Sequence, residues 1–519
     1  MTALRLGVDV GGTNTDAVVV DEAGAVLASH KVPTTPDPMD GIRAAMQSVL
    51  PEVDRASIRQ VMLGTTHPAN AIIQRRGLDR IGILRVAAPS SYAVRPGAAW
   101  PAELLEAILG PTAIIHGGFE YDGREIAPLD EDAVRRFAGE CAGKVTAIAV
   151  SSPFSPASYS HEDRTAEILA EELGDAVAVS VSHEIGSLGL LEREDAAALN
   201  ASLLGVSRAV VQGLGRAIVD NGLEVDSYLT QNDGTLMSAE QAMKYPVLTL
   251  ASGPTNSMRG ASALAGLTDA LVIDVGGTST DVGILVDGFP RESMHAVEVG
   301  GVRTNFRMPD LISIGLGGGT IVHGTGSDVR VGPDSVGYRV VVDALVMGGD
   351  VPTLSDVSVR AGRLTDFGDP ALASRLDAAA ADAALAWVDE QVQILADRMK
   401  ASRQALPLIA VGGGSHLVPD RVPGTSEVIK PAHFAVANAY GAAIAEASGE
   451  VDRVYRYDES SREACLEDAK ALATEAAVRA GADPAKTRIT TVMEIPMTYV
   501  PGGGCRVQVK AAGPLGAVG

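Results

Sequence analysis

Cysteine is scarce in this chain: Cys141, Cys465 and Cys505 are the three among 519 residues. They stand far apart with no Cys-x-x-Cys spacing, which argues against a disulfide framework, a zinc knuckle or an iron–sulfur site. Basic charge is also in short supply, with 42 Lys and Arg against 65 Asp and Glu and a net charge of −23. So acidic a chain repels a phosphate backbone, and nucleic acid is not expected as a partner. No apolar run approaches the ~20 residues that a bilayer-spanning helix needs, so no membrane is expected either. A glycine-rich motif already begins at residue 9, which leaves no room for a signal peptide, and a cytoplasmic protein is the expectation. Nine histidines are scattered without a metal-type pair at helical spacing.

What the chain does have is an ordinary globular composition, 46% apolar and 21% charged, with length for two or three domains. It also has a near-perfect internal echo. Asp9-Val10-Gly11-Gly12-Thr13-Asn14-Thr15-Asp16 returns as Asp274-Val275-Gly276-Gly277-Thr278-Ser279-Thr280-Asp281. Each copy follows an apolar β-type run and precedes another, so each predicts a β-hairpin with a tip free of bulky side chains. Such a tip can aim backbone N–H groups and hydroxyls at one anion. Two of them suggest half-sites closing on one polyphosphate, held by local donors and a cation because the overall field is unfavourable.

Strands alternate with helices through the first 195 residues, which points to an α/β fold. A helix is expected from Pro36 to Leu50, entered through Asp37-Pro38, another from Ala69 to Arg76, and a long one from Glu194 to Asp220 capped by Asn221-Gly222. Tyr228–Ser238 reads as a hairpin. Ser460 and Glu463 fit a capping box ahead of a helix reaching Ala480, and the tail reads as β-α-β-β. The expected division is 1–195, 196–450 and a small α+β appendage at 451–519.

The doubled hairpin resembles the actin/sugar kinase/Hsp70 superfamily, in which two ribonuclease H-like domains clamp ATP. Leu6 to Asp21, Leu63-Gly64-Thr65-Thr66-His67-Pro68-Ala69-Asn70-Ala71, Ala251-Ser252-Gly253-Pro254 and Leu271 to Val286 together resemble the A-type members of the hydantoinase/oxoprolinase family. That resemblance implies an ATP-dependent enzyme that opens a cyclic amide (5-oxoproline, a hydantoin or a lactam) or activates a ketone for carboxylation. It also implies an oligomer that includes a second, B-type subunit. A small-metabolite kinase and a nucleotide-gated scaffold remain as alternatives, because a shared fold does not decide chemistry.

Roles follow from residue type and place. Asp9 and Asp274 end their strands ahead of the glycines and are candidate ligands for hydrated Mg²⁺, which takes one or two carboxylates plus water and phosphate oxygens; the alternative is a turn cap. Asp16 and Asp281 could assist proton transfer or satisfy their own hairpins. Gly11, Gly12, Thr13, Asn14 and Thr15 are expected at the γ end of ATP, and Gly276, Gly277, Thr278, Ser279 and Thr280 at the β end. Gly412, Gly413 and Gly414 follow an apolar strand and would support adenosine, as absent side chains let a base lie on the backbone. Gly317, Gly318 and Gly319 could serve nearer the phosphates; tight packing is the other use of such triglycines. Thr65, Thr66, His67 and Asn70, on a turn opening a helix, are the expected contacts for a substrate carbonyl, against simple N-capping by Thr66.

Overall fold

The computed structural model describes residues 3–35, 38–293, 295–326, 328–400, 402–497 and 504–516. Its frame is a pair of sheets built on the two hairpins. Leu4–Val10 and Asn14–Val20 run antiparallel, and Leu4–Val10 also pairs in parallel with Ile58–Thr65. The second copy repeats the pattern: Ala270–Val275 and Thr280–Val286 are antiparallel, and Ala270–Val275 is parallel to Leu408–Val411. These strands are buried along most of their length. Near-continuous Val, Leu and Ile is what a sheet covered on both faces requires. The architecture is the α/β, twice-built arrangement that the repeat implied. Among the described residues no helix is long and apolar enough to cross a membrane.

Two helices fill the space between the sheets, Ser252–Ala265 and Ala437–Ile444. They cross unusually closely because glycine stands at each contact. A Cβ on Gly260 would lie 1.9 Å from the Ala437 carbonyl oxygen, one on Gly441 1.9 Å from that of Asn256, and one on Gly7 2.2 Å from that of Ala439. Backbone therefore rests on backbone, and the first hairpin is locked to both helices.

A smaller parallel sheet, ordered Leu109–His116, Ile81–Ala88, Ala147–Ser151, Ala178–Val181, sits within the N-terminal half. The long helix joins its core to that of the first large sheet: Leu199 and Leu203 pack on the smaller sheet's core, and Val210, Leu214 and Ile218 on the larger. This helix spans Leu190–Asp220, starting earlier than Glu194 because Gly189, at φ 115°, turns the chain into it. Asn221 ends it and Gly222 follows at φ +71°, as expected.

The first large sheet has nine strands, in the order Arg488–Pro496, Gly504–Gly513, Ala447–Arg456, Leu236–Ser238, Asp226–Thr230, Ile58–Thr65, Leu4–Val10, Asn14–Val20, Val26–Pro33. The tail has the expected β-α-β-β order, yet its strands extend this sheet through Leu236–Ser238, so hydrogen bonding runs across a division drawn at residue 450. The tail helix, Arg462–Arg479, lays Ala469, Ala473 and Ala477 on those strands. Its cap is Ser461, which accepts from the Ala464 N–H; the expected Ser460/Glu463 capping box falls one residue short of the N-cap. The helix after the first hairpin spans Pro38–Val49; of the expected start at Pro36 with entry through Asp37-Pro38, Pro36 and Asp37 lie outside the described residues.

Candidate functional site at the paired hairpin tips

Both glycine-rich tips are two-ended turns closed by the same bond. The Gly11 N–H donates to the Asn14 carbonyl at 3.0 Å, and the Gly276 N–H to the Ser279 carbonyl at 2.9 Å. The tips meet: a Cβ on Gly277 would lie 2.9 Å from Thr13 Oγ1. Gly12, Thr278 and Ser279 are accessible there, with open space around Gly12. Thr15 and Thr280 differ from the expectation. Both are fully buried; the Thr15 hydroxyl lies 3.3 Å from that of Thr34, and the Thr280 hydroxyl donates to the Leu316 carbonyl at 2.6 Å. Strand alternation turns them inward, so their side chains brace neighbouring loops and do not face the cleft.

The four aspartates form two cross-strand pairs at the base of the tips, Asp9 with Asp16 and Asp274 with Asp281. Burial pushes the Asp9 carboxyl up to about 7, reinforced by the charges of Asp16 and Asp274 and opposed by Asn256 and Lys31. Asp281 is pushed up to about 7 by burial and then by Asp274. Asp16 and Asp274 are raised by burial as well, with Lys31 acting against it at both and Ser257 at Asp274.

Residues outside the motifs tune this cluster, among them Ser313, whose hydroxyl donates to Asp281. The Lys31 ammonium lies 2.7 Å from Asp16, across from it on the third strand. Asn438 donates to Asp9 at 2.8 Å and Asn256 at 3.5 Å, while the Ser257 hydroxyl donates to Asp274. Lys31 could have been placed from the sequence by extending the register of the first hairpin to a third strand. Asn256, Ser257 and Asn438 carry no such signal.

The donor set suits a hard cation. Two carboxylates raised by burial are stabilised in their charged form by a neighbouring dication. Among the described residues no group of three or more His, Cys, Asp or Glu is placed to hold a metal ion alone.

The triglycine turns brace the second tip. A Cβ on Gly317 would lie 2.6 Å from the Gly277 carbonyl carbon, and one on Gly318 2.9 Å from the Ser355 hydroxyl. Gly412, at φ +87°, could carry no side chain without meeting Asp274 Oδ1 at 2.2 Å, and a Cβ on Gly414 would meet the Gly276 carbonyl at 2.7 Å. Gly413 alone of this trio is exposed, with nothing nearby. Beside them His416 is held neutral, its pKa lowered to about 4 by burial and the positive charges of Lys430 and Arg363.

The turn at residues 64–70 adjoins the first tip. Thr66 precedes the helix His67–Gln74 but makes no side-chain cap; its hydroxyl donates to the Val10 carbonyl at 3.2 Å, and Asn70 donates to that hydroxyl at 3.4 Å. Thr65 is buried, and its hydroxyl accepts from the His67 N–H at 3.1 Å. Thr65 therefore holds the turn together, and Thr66, His67 and Asn70 are the partly accessible members. Ser252 ties its own motif to this turn, its hydroxyl donating to the Thr65 carbonyl at 3.1 Å. Two segments distant in sequence thus form one wall beside the hairpin tip.

Residues 5–173 match the hydantoinase/oxoprolinase N-terminal region and residues 193–386 match hydantoinase/oxoprolinase. The chain is 26% identical over 384 residues to the alpha subunit of caprolactamase from Pseudomonas jessenii, covering 70% of this chain and 55% of that protein. It is 28% identical over 404 residues to the gamma subunit of acetophenone carboxylase from Aromatoleum aromaticum, covering 69% and 53% respectively. The chain thus spans about half the length of these curated relatives. The crystal structure of the ATP-dependent caprolactamase from Pseudomonas jessenii superimposes with a TM-score of 0.78 at 20% identity, covering 99% of this chain and 88% of that one. The two family matches together cover most of the chain: it belongs to the hydantoinase/oxoprolinase family.

Proposed function

We propose that this chain is the ATP-binding subunit of an enzyme that opens a cyclic amide of the hydantoin, 5-oxoproline or lactam type. The observation that carries the reading is the tip-to-tip meeting of two in-register Asp-x-Gly-Gly-Thr hairpins over four aspartates and Lys31. The N–H groups and hydroxyls of Gly12, Thr13, Gly277, Thr278 and Ser279 take the phosphates of ATP from both sides. Asp9 and Asp274 would hold Mg²⁺, which would neutralise phosphate charge there. Gly413 offers an open backbone surface for the nucleoside.

An amide resists water because nitrogen donates into the carbonyl. Transfer of the γ-phosphoryl to the amide oxygen releases ADP and makes the ring carbon electrophilic. Water adds there, the C–N bond breaks with the nitrogen leaving as the protonated amine, and the acyl phosphate that results gives up phosphate to a second water. Positioning and charge neutralisation do most of the work in such a transfer. Thr66 and Asn70, anchored to Val10 at the base of the tip, orient the carbonyl towards the γ-phosphate. The partner that completes the reaction is a second, B-type subunit; the relatives named as subunits of larger enzymes support it. The test measures ADP release by the chain reconstituted with its B-type partner, with ε-caprolactam, 5-oxoproline or hydantoin added. Stimulation by a cyclic amide supports the reading; stimulation only by a ketone with bicarbonate replaces it with the carboxylation chemistry of the acetophenone carboxylase relative.

A further inference from the structure

A cavity of about 740 Å³ opens where four parts of the chain converge: the segment after Ala178–Val181, residues 231–248, residues 292–307 and the tail. None of the glycine-rich motifs lines it. It lies on the same edge of the nine-stranded sheet as the first tip, beyond the strands Ile58–Thr65 and Asp226–Thr230. Its size is that of a small-molecule site, which occupies roughly 300–1,000 Å³.

The chemistry of the walls is specific. In the inner part Asp233, Glu292, Glu450 and Asp452 face three cations. Arg307 lies 2.6 Å from Glu450 and 3.4 Å from Glu292; Arg506 donates to Asp452 at 2.8 Å; Lys510 pairs with Asp233 and sits 3.8 Å from Glu292. Lys510 is 7% exposed, whereas Glu450 and Glu292 keep 31% and 35% of their side chains accessible. Six carboxylates, those of Glu184, Glu192, Asp233, Glu292, Glu450 and Asp452, line the cavity against the guanidinium groups of Arg307 and Arg506, so the group in excess is an acid. Burial pushes the Glu450 carboxyl up to about 7, with Glu292 and Asp452 adding to it against Arg307 and Lys510. Met237, Leu248, Phe306 and Ile495 supply apolar wall.

We propose that this cavity is a binding site for a small aliphatic ammonium compound, whose cation meets Glu450 while its alkyl body lies on the apolar wall. A cation supplies the missing charge, and ion pairing in a recessed site is less screened than at an open surface. The floor of the cavity reaches the cleft wall: the Ala251 N–H donates to Asn232 at 2.8 Å and the Thr255 hydroxyl to the Gln231 carbonyl at 3.2 Å, both at the start of the helix that bears Asn256 and Ser257.

Calorimetric titration of the whole chain with 5-amino-1-pentanol and with pentane-1,5-diol tests this without nucleotide. The two probes differ by one ammonium group. The amine binds at least tenfold more tightly than the diol, and Glu450→Gln removes that preference while ATP affinity stays unchanged. Equal affinity for the two probes, binding of neither, or an unaltered preference in Glu450→Gln overturns the proposal. A crystal of the wild-type protein soaked with the amine provides an arm that needs no variant. Nitrogen within hydrogen-bond distance of the Glu450 carboxylate supports the site, and density elsewhere only refutes it.

Discussion

The substitution Gly441→Ala tests how the cleft is held together. Its Cβ would lie 1.9 Å from the Asn256 carbonyl oxygen and 2.9 Å from the Gly260 nitrogen, where ordinary contact begins near 3.4 Å. The atoms met are backbone, so no side chain can swing away, and the helices Ser252–Ala265 and Ala437–Ile444 must part by about an ångström or more. Overpacking of this kind costs about 1–3 kcal/mol, and the upper half of that range applies where backbone meets backbone. Alanine regains about 0.5–1 kcal/mol as the better helix former, which leaves a net loss of about 1–2.5 kcal/mol. The matched control is Gly139→Ala, on the exposed side of the helix Glu131–Cys141 with nothing within 4 Å of its Cβ. The same exchange there stabilises by roughly 0.4–1 kcal/mol. Urea unfolding midpoints should therefore move in opposite directions. Parting the helices also withdraws Asn256 and Asn438 from Asp9, so Gly441→Ala weakens binding of Mg-ATP and Gly139→Ala does not. A Gly441→Ala protein as stable as Gly139→Ala would refute the close-crossing account of this interface.

Asp9→Asn or Asp274→Asn should cut ATP turnover by about 10² or more, as loss of a cation ligand at a phosphoryl site costs several kcal/mol; steady-state ADP release reads it, and unchanged turnover in both returns them to turn caps. Asp9 is raised in the fold, from its ordinary 3.8 to about 7, so its contribution to nucleotide-free stability is full at low pH and is lost as pH rises through 7. Wild type should accordingly lose stability relative to Asp9→Asn between pH 5 and pH 8 in urea unfolding, and a constant gap would contradict the burial assigned to this carboxyl. Asn70→Ala should leave ATP affinity within a few fold while abolishing stimulation by a cyclic amide, since an unpaired buried carbonyl loses about 1–3 kcal/mol; equal loss of ATP binding assigns the turn to the nucleotide. Gly277→Val would drive a side chain into Thr13 and separate the tips, so calorimetry should show ATP affinity falling at least tenfold.

The two hairpins were legible because everything that makes them is local. Apolar strands flank a Gly-Gly turn, and cross-strand register then dictates that Asp9 faces Asp16 and Asp274 faces Asp281. The same locality specifies the long helix and its Asn221-Gly222 end. Where competing local signals lie one residue apart, as with Ser460 and Ser461, the motif alone does not choose between them. The inward turn of Thr15 and Thr280 is written in strand alternation, but the phosphate-type motif around them points the other way.

By itself, then, the sequence determined the duplicated turns, the family to which they belong, and the order of strands and helices, since short-range backbone preferences specify each of these. Only the tertiary structure decided that the tail completes the N-terminal sheet, that triglycine turns brace the second tip, and that Asn438, 429 positions along the chain, donates to Asp9. Nor does any local pattern assemble the acid-lined cavity, whose Arg307 and Glu450 come from distant segments. Contacts of that kind depend on which helices can approach closely enough, and here glycine at positions 7, 260 and 441 settles it by leaving no Cβ between backbones.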